Sequence, residues 1–277
     1  MRSSEHPDIP QGWANTHDDV RFWLSVVGLS AIAFFSTMFG IVGIAGGYFV
    51  ALKYFLLFAL LMVLVIALGL VSRYRRVDVS TAIRTVESNG LPGTEIRYSA
   101  WQFTILVALM GCFALFCTMA SVEIFIYQDE GFPGAAVVTG ALGILFLSFL
   151  VAVAAGRVRR GGFTLSSQGI FQRGRSFESR LDWSDIASVR AVAHRYPIIL
   201  AFGYANADWN RRYTTPRFCR IEFLPLDPMI ELDCRQFDVD PYILYSYVRT
   251  YVDNPELRAE LGTEAALARA RYMQPGR

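Results

Sequence analysis

Residues 54–71 read YFLLFALLMVLVIALGLV, with no polar side chain after the opening tyrosine. A helix needs roughly 20 apolar residues to cross a hydrocarbon core of about 30 Å, so this stretch with its flanks reads as a membrane span. It lies inside an apolar tract over 22–72, broken only by Lys53 and a few Ser, Thr and Gly, and turned at Gly46-Gly47. A second tract over 101–155 repeats the pattern, interrupted at Glu123 and at Asp129-Glu130-Gly131. Each tract is too long for one helix and right for two. The expected fold is therefore α+β. A four-helix transmembrane bundle fills 22–156, with spans at about 22–46, 48–72, 101–125 and 133–155 and a polar loop over 73–99. A soluble C-terminal half follows.

The hydrophobic content of 53 % averages two unlike halves, since 18 of the 25 arginines fall after residue 156. A net charge of +2 is too small to predict nucleic-acid binding. The first 21 residues are polar and carry Glu5, Asp8, Asp18 and Asp19, the wrong character for a cleavable leader. They are expected to form a cytoplasmic tail. Basic residues set the topology: the 73–99 loop holds Arg73, Arg75, Arg76, Arg84 and Arg97, and Arg157, Arg159 and Arg160 follow the last span. The other side offers only Lys53. The positive-inside rule then puts both termini and the 73–99 loop in the cytoplasm of a multi-pass plasma-membrane protein. Cys112 and Cys117 lie inside span three and Cys219 and Cys234 on expected strands, so no disulfide framework is implied.

Transport chemistry needs ionisable side chains at mid-span, and the middles of all four spans carry none. Lys53 and Glu123 are the exceptions, both toward the outer face. The plainest reading is two side chains snorkelling to the headgroups. The alternatives are an ion pair that joins the two hairpins, or an outward-facing proton or cation site. Small-residue pairs (Gly43 with Gly47, Ala136 with Gly140, Ala152 with Gly156) suit close helix packing in the bundle or at a homodimer face. In the loop, Val79, Ile83 and Val86 fall at helical spacing and predict a short amphipathic helix on the inner leaflet, before a break at Asn89-Gly90-Leu91-Pro92-Gly93. His6 and His17-Asp18-Asp19 lack a metal-binding geometry, and Asp18 or Asp19 suits a helix cap.

From Gly161 the pattern alternates, with turn residues at short intervals. Seven strands are expected near 163–166, 169–173, 177–183, 187–193, 197–203, 216–224 and 229–237, then a helix capped by Asp240 with Pro241 in its first turn. In the last hairpin Cys219, Ile221 and Phe223 should point inward, with Arg220 and Glu222 outward. Ile230, Leu232 and Cys234 should be inward, with Glu231, Asp233 and Arg235 outward. Ile243, Leu244, Tyr247, Val248 and Tyr251 form an apolar stripe at helical spacing. A weaker stripe, Leu257, Leu261, Ala266 and Ala270, follows the start signal Asn254-Pro255 and is interrupted by Gly262. The domain is expected over 157–253, with a terminal helix or tail over 254–277.

The phrases Thr164-Leu165-Ser166, Gly169-Ile170-Phe171 and Trp183-Ser184-Asp185-Ile186, with Val189, resemble bacterial pleckstrin-homology-like domains. The closing Asn254-Pro255-Glu256-Leu257-Arg258 and Leu261-Gly262-Thr263-Glu264 resemble actinobacterial membrane proteins that join such a domain to several spans. The resemblance implies a C-terminal pleckstrin-homology-like barrel or sandwich with a capping helix in a bacterial plasma membrane.

Members of that fold often bind lipid headgroups through basic residues, and Arg173 and Arg175, with the membrane-flanking Arg73, Arg75, Arg76, Arg157, Arg159 and Arg160, are the candidates here. Over Asn206–Pro216, Trp209, Arg211, Arg212 and Tyr213 have the composition of a protein-contact hot spot, or of a hairpin loop whose tryptophan folds back on the sheet. The one histidine of this half, His194, has no phosphate loop, nucleophile elbow or metal-ligand spacing near it, so no catalytic residue, cofactor or metal is expected. The expected function is a membrane accessory or scaffold protein that presents this domain to a protein partner and to anionic lipid. The alternative is a small transporter using Lys53 and Glu123. The expected partners are the bilayer, an unidentified protein and a second copy in a homodimer.

Overall fold

The computed structural model describes Trp13 and residues 19–74, 79–88, 90–127, 133–193, 196–217 and 220–273. Expectations for His6, His17, Asp18, Arg75, Arg76, His194 and Cys219 lie outside these residues. The chain forms two compact units, one of Asp18–Arg73 with Ala100–Val158, the other of Tyr74–Ser99 and Arg159–Arg277 with the N-terminal segment.

The helical unit holds α1 (Asp19–Ala45) and α2 (Phe49–Tyr74); the chain passes through a short α3 (Val79–Ala82) before its second pair, α4 (Ala100–Ile126) and α5 (Pro133–Ala154). All four long helices are apolar enough and long enough to cross a membrane. They leave large side chains such as Phe34, Phe39, Val137 and Ile144 on their surface, as expected where the surrounding solvent is lipid. The turn from α1 to α2 is a Schellman closure: Gly47, at φ 84°, donates to the Ile44 carbonyl at 2.9 Å while Tyr48 N donates to Gly43 at 2.8 Å. α5 ends the same way, with Gly156 at φ 66°.

The expected Ala136–Gly140 packing face is used inside this unit. Ser121 Oγ donates to the Ala136 carbonyl at 2.8 Å, and a side chain at Gly140 or Gly143 would collide with Ser121 or Thr118. The mid-helix Thr37, Thr118 and Thr139 spend their hydroxyls on carbonyls of their own helix.

The sheet unit begins inside the loop over 73–99. The amphipathic helix expected over 79–86 stops at Ala82, and Ile83–Ser88 (β1) and Leu91–Arg97 (β2) form an antiparallel hairpin. Gly90, at φ 76°, makes its turn. β2 then pairs with β3 (Gly162–Ser166), Ile96 opposite Phe163, although α4 and α5 separate them in sequence. Pairing in a sheet overrides the helical spacing of Val79, Ile83 and Val86 because the hairpin gains a ladder and buries Ile83 and Ile96. The compact sheet unit thus takes in Tyr74–Ser99 as well as the segment after the fourth long helix.

β4 (Gly169–Arg173), β5 (Phe177–Asp182), β6 (Ile186–Ala193), β7 (Pro197–Gly203), β8 (Asn210–Tyr213) and β9 (Met229–Asp233) complete two antiparallel sheets, ordered β1-β2-β3-β4-β5-β8 and β6-β7-β9. Neither sheet closes into a barrel among the described residues. Six of the seven expected strands are present. The strand expected at 216–224 is not: the described part of that stretch pairs in no ladder, and the strand beside β5 is β8 instead.

The core between the sheets gathers Ile96, Phe163, Leu165, Ile170, Leu181, Ile199, Ile230 and Leu232, all fully buried. α6 (Pro241–Asp253) closes it with Leu244, Tyr245, Tyr247, Val248 and Tyr251, and Asp240 caps the helix by accepting from Tyr242 N at 2.8 Å. α7 (Glu264–Tyr272) follows a 3₁₀ turn over Pro255–Glu260 and buries Ala266 and Ala270.

Candidate functional site

Trp209, Arg211, Arg212 and Tyr213 all lie on or beside β8 and are engaged within the sheet unit. The Trp209 indole N–H donates to Ser179 Oγ at 2.7 Å, so the tryptophan folds back on β5. The Arg211 guanidinium stacks on that indole, 4.4 Å from its centroid, and donates to the Pro225 carbonyl at 2.9 Å. Arg212 donates to Glu178 at 2.6 Å, and the Tyr213 hydroxyl accepts from Leu224 N at 3.1 Å.

The segment from Ile221 to Pro225 inverts the expected pattern. Phe223 is 77 % exposed, whereas Glu222 turns inward and accepts from Arg175 N at 2.8 Å and from its guanidinium at 3.1 Å. The period-two alternation of Ile221, Glu222 and Phe223 assumed a ladder. Here the backbone of Glu222 is satisfied by the Ser176 hydroxyl instead, so nothing fixes alternate side chains to opposite faces. Arg173 pairs with Glu178. Two of the eight arginines proposed for a lipid headgroup, Arg173 and Arg175, are thus spent on carboxylates of their own domain.

A cavity of about 150 Å³ opens beneath Phe223, walled by Tyr98, Gln172, Phe177 and Pro225 and rimmed by Glu222, Glu231, Asp233 and Gln236. Arg235 answers Asp233 at 2.7 Å and Arg175 answers Glu222, while Glu231 faces no cation among the described residues. Desolvation, then the charge of Asp233, holds the Glu231 carboxyl above its ordinary range. The folded protein therefore binds that proton more tightly than the unfolded chain. The penalty of ionising it is absent below the ordinary carboxylate pKa and is fully developed above the raised folded value. Glu231→Gln is expected to raise the melting midpoint of the sheet unit at about pH 7 and to leave it unchanged below about pH 4, where both side chains are neutral. An equal shift at both values would assign the effect to packing.

In the helical unit Lys53 and Glu123 meet as an ion pair. The Tyr54 hydroxyl donates to Glu123 at 2.7 Å, and the Lys53 ammonium lies 5.2 Å from the Tyr54 ring centroid. Lys53 stands near the start of α2 and Glu123 near the end of α4. The two side chains pair directly, as one of the three sequence readings expected. Beside it Ile32, Phe35, Phe39, Tyr54, Phe55 and Phe116 contribute to an apolar cleft of about 430 Å³. Arg73 lies over the Phe22 ring at 4.5 Å. Among the described residues no group of His, Cys, Asp and Glu is gathered for a metal.

One buried and one half-buried group escaped sequence reasoning. Trp13 is only 5 % exposed and belongs to the core of the sheet unit; a lone aromatic in a polar tail was its signal. Glu260 accepts from Tyr251 at 2.8 Å and from Arg269 at 3.0 Å, which binds the 3₁₀ turn to α6 and α7. Comparison with protein-family models, curated proteins and solved structures gives no match.

Proposed function

We propose that this chain is an accessory or scaffold protein of a bacterial plasma membrane, with both termini cytoplasmic, whose sheet unit is a pleckstrin-homology-like domain that binds a protein partner. The observation that carries the reading is the division of chemistry between the two units. The described helices keep ionisable side chains out of their middles, and their one internal charge pair, Lys53–Glu123, is mutually satisfied. The sheet unit, in contrast, recruits Trp13, the β1–β2 hairpin and the whole C-terminal segment. A pair of long helices separates each of these segments from the next, so every excursion through the bilayer returns to one side. The arginines of 73–97 and 157–160 make that side the cytoplasm by the positive-inside rule.

The domain assignment is supported by two antiparallel sheets closed by a C-terminal amphipathic helix, with the Trp183-Ser184-Asp185 turn between β5 and β6. The Trp183 indole is tied there to the Ser166 carbonyl at 2.7 Å. The partner face is the surface beside β8, where exposed Phe223 and Leu226 adjoin Arg211. An exposed phenylalanine beside an arginine has the composition of an interface. Anionic lipid would be met by the arginines that flank the spans.

Purification of the tagged full-length protein in mild detergent, with quantitative mass spectrometry, tests the reading. A stoichiometric membrane partner is expected, and Phe223→Ser with Leu226→Ser should release it. Recovery of the protein alone would overturn a stable accessory role.

A further inference from the structure

Trp13 reaches the sheet unit across 179 positions of sequence: its indole N–H donates to the Val192 carbonyl at 2.9 Å. Val192 lies on β6, the end strand of the three-stranded sheet. The indole ring packs edge-on against two tyrosines of α6, with centroids 5.6 Å from Tyr242 and 6.1 Å from Tyr245. Tyr245 is fully buried, and its hydroxyl accepts from Arg249 at 3.1 Å, which fixes the back of the cleft. Tyr242, 39 % exposed, stands at the mouth. The cleft between β6 and α6 therefore offers a flat aromatic slot with one carbonyl at its end. That shape and that acceptor select an indole: phenylalanine would leave the carbonyl without its donor, and leucine would lose the edge-to-face geometry as well.

The sequence around Trp13 has the composition of a short linear motif. Pro7, Pro10 and Gly12 precede it and Ala14-Asn15-Thr16 follow, so the tryptophan is the one large aromatic the segment can bury. We infer that the cleft between β6 and α6 is a docking site for a peptide segment that presents a tryptophan, filled in the isolated chain by Trp13 and open to replacement by the tryptophan of a partner protein. Trp13 is the internal competitor. With Trp13 in the slot of about nine chains in ten, a free peptide binds the intact chain about tenfold more weakly than a chain whose slot is empty. The site stands apart from the accessory reading, because its occupation can be measured with no natural partner in hand.

The probe is a fluorescent peptide with the sequence of residues 7–19, titrated into full-length protein in detergent and read by anisotropy. Trp13→Ala protein is expected to bind it about tenfold more tightly than wild type. A peptide with alanine in place of its tryptophan should bind neither. Trp13→Phe protein keeps a ring in the slot, which guards against loss of folding in the alanine variant, and should give an intermediate affinity. Hydrogen exchange on β7 and β9 reports whether each variant is folded. Equal binding to all three folded proteins, or no binding to either folded variant, would overturn the proposal and leave Trp13 as a fixed part of the core.

Discussion

Gly262→Ala is expected to cost the sheet unit about 3 kcal/mol and to loosen the β1–β2 hairpin. Gly262 sits at φ 84°, where an L side chain costs about 1–2 kcal/mol. An added Cβ would lie 2.6 Å from the backbone of Pro92 and Gly93, atoms that cannot swing aside as a side-chain tip can. Backing away breaks the bond from Gly262 N to Thr94 Oγ1, 3.0 Å, and Thr94 is fully buried, so the loss of that donor adds about 1 kcal/mol or more. At about 2–4 °C per kcal/mol for a unit of this size, the melting midpoint should fall by about 6–12 °C. Hydrogen exchange should show the loss first in β1, β2 and α7, while β7 and β9 keep their protection. An unchanged hairpin would mean that the C-terminal segment does not brace it.

The same contact explains why part of the fold was hidden in the sequence. The four spans were legible because hydrophobic length is a local property: no distant partner is needed to make residues 54–71 apolar. β3–β7 and β9 and the Asp240-capped α6 were legible for a similar reason, since alternation, turn residues and caps act within a few positions. The hairpin was not. Asn89-Gly90 is a strong two-residue turn signal, but the strands it joins are stabilised by β3, which lies beyond two intervening helices, and Val79, Ile83 and Val86 matched a helical period by accident. The segment at 216–224 failed in the opposite sense. It alternates well, yet Ser176 and Arg175 capture Glu222 with specific hydrogen bonds, and a side-chain capture of that kind has no periodic signature. Of the candidate site residues, composition correctly singled out Lys53 and Glu123 as anomalies. It could not separate snorkelling from pairing, which depends on how α2 and α4 face one another.

That pairing supplies the second large effect. Removing one partner leaves a charge beside hydrocarbon, whereas removing both leaves none. A fully buried pair broken on one side costs about 3–5 kcal/mol, but the side chains here are 36 % and 24 % exposed, which lowers the expectation to about 1–3 kcal/mol for Lys53→Leu or Glu123→Leu alone. The Glu123 variant should be the milder, because the lysine stem is long enough to carry its ammonium outward. The Lys53 variant strands a carboxylate whose remaining partner is the Tyr54 hydroxyl. The double variant is expected to lose less stability than the worse single one, which gives a coupling of about 1 kcal/mol or more in a double-mutant cycle on thermal unfolding of the helical unit. Charge reversal, Lys53→Glu with Glu123→Lys, should recover part of it. Zero coupling would mean that each side chain reaches the interface independently. The double leucine variant also separates the two functional readings: an accessory protein keeps its partner with a neutral bundle, while a transporter that moves a proton or cation through this pair loses all activity.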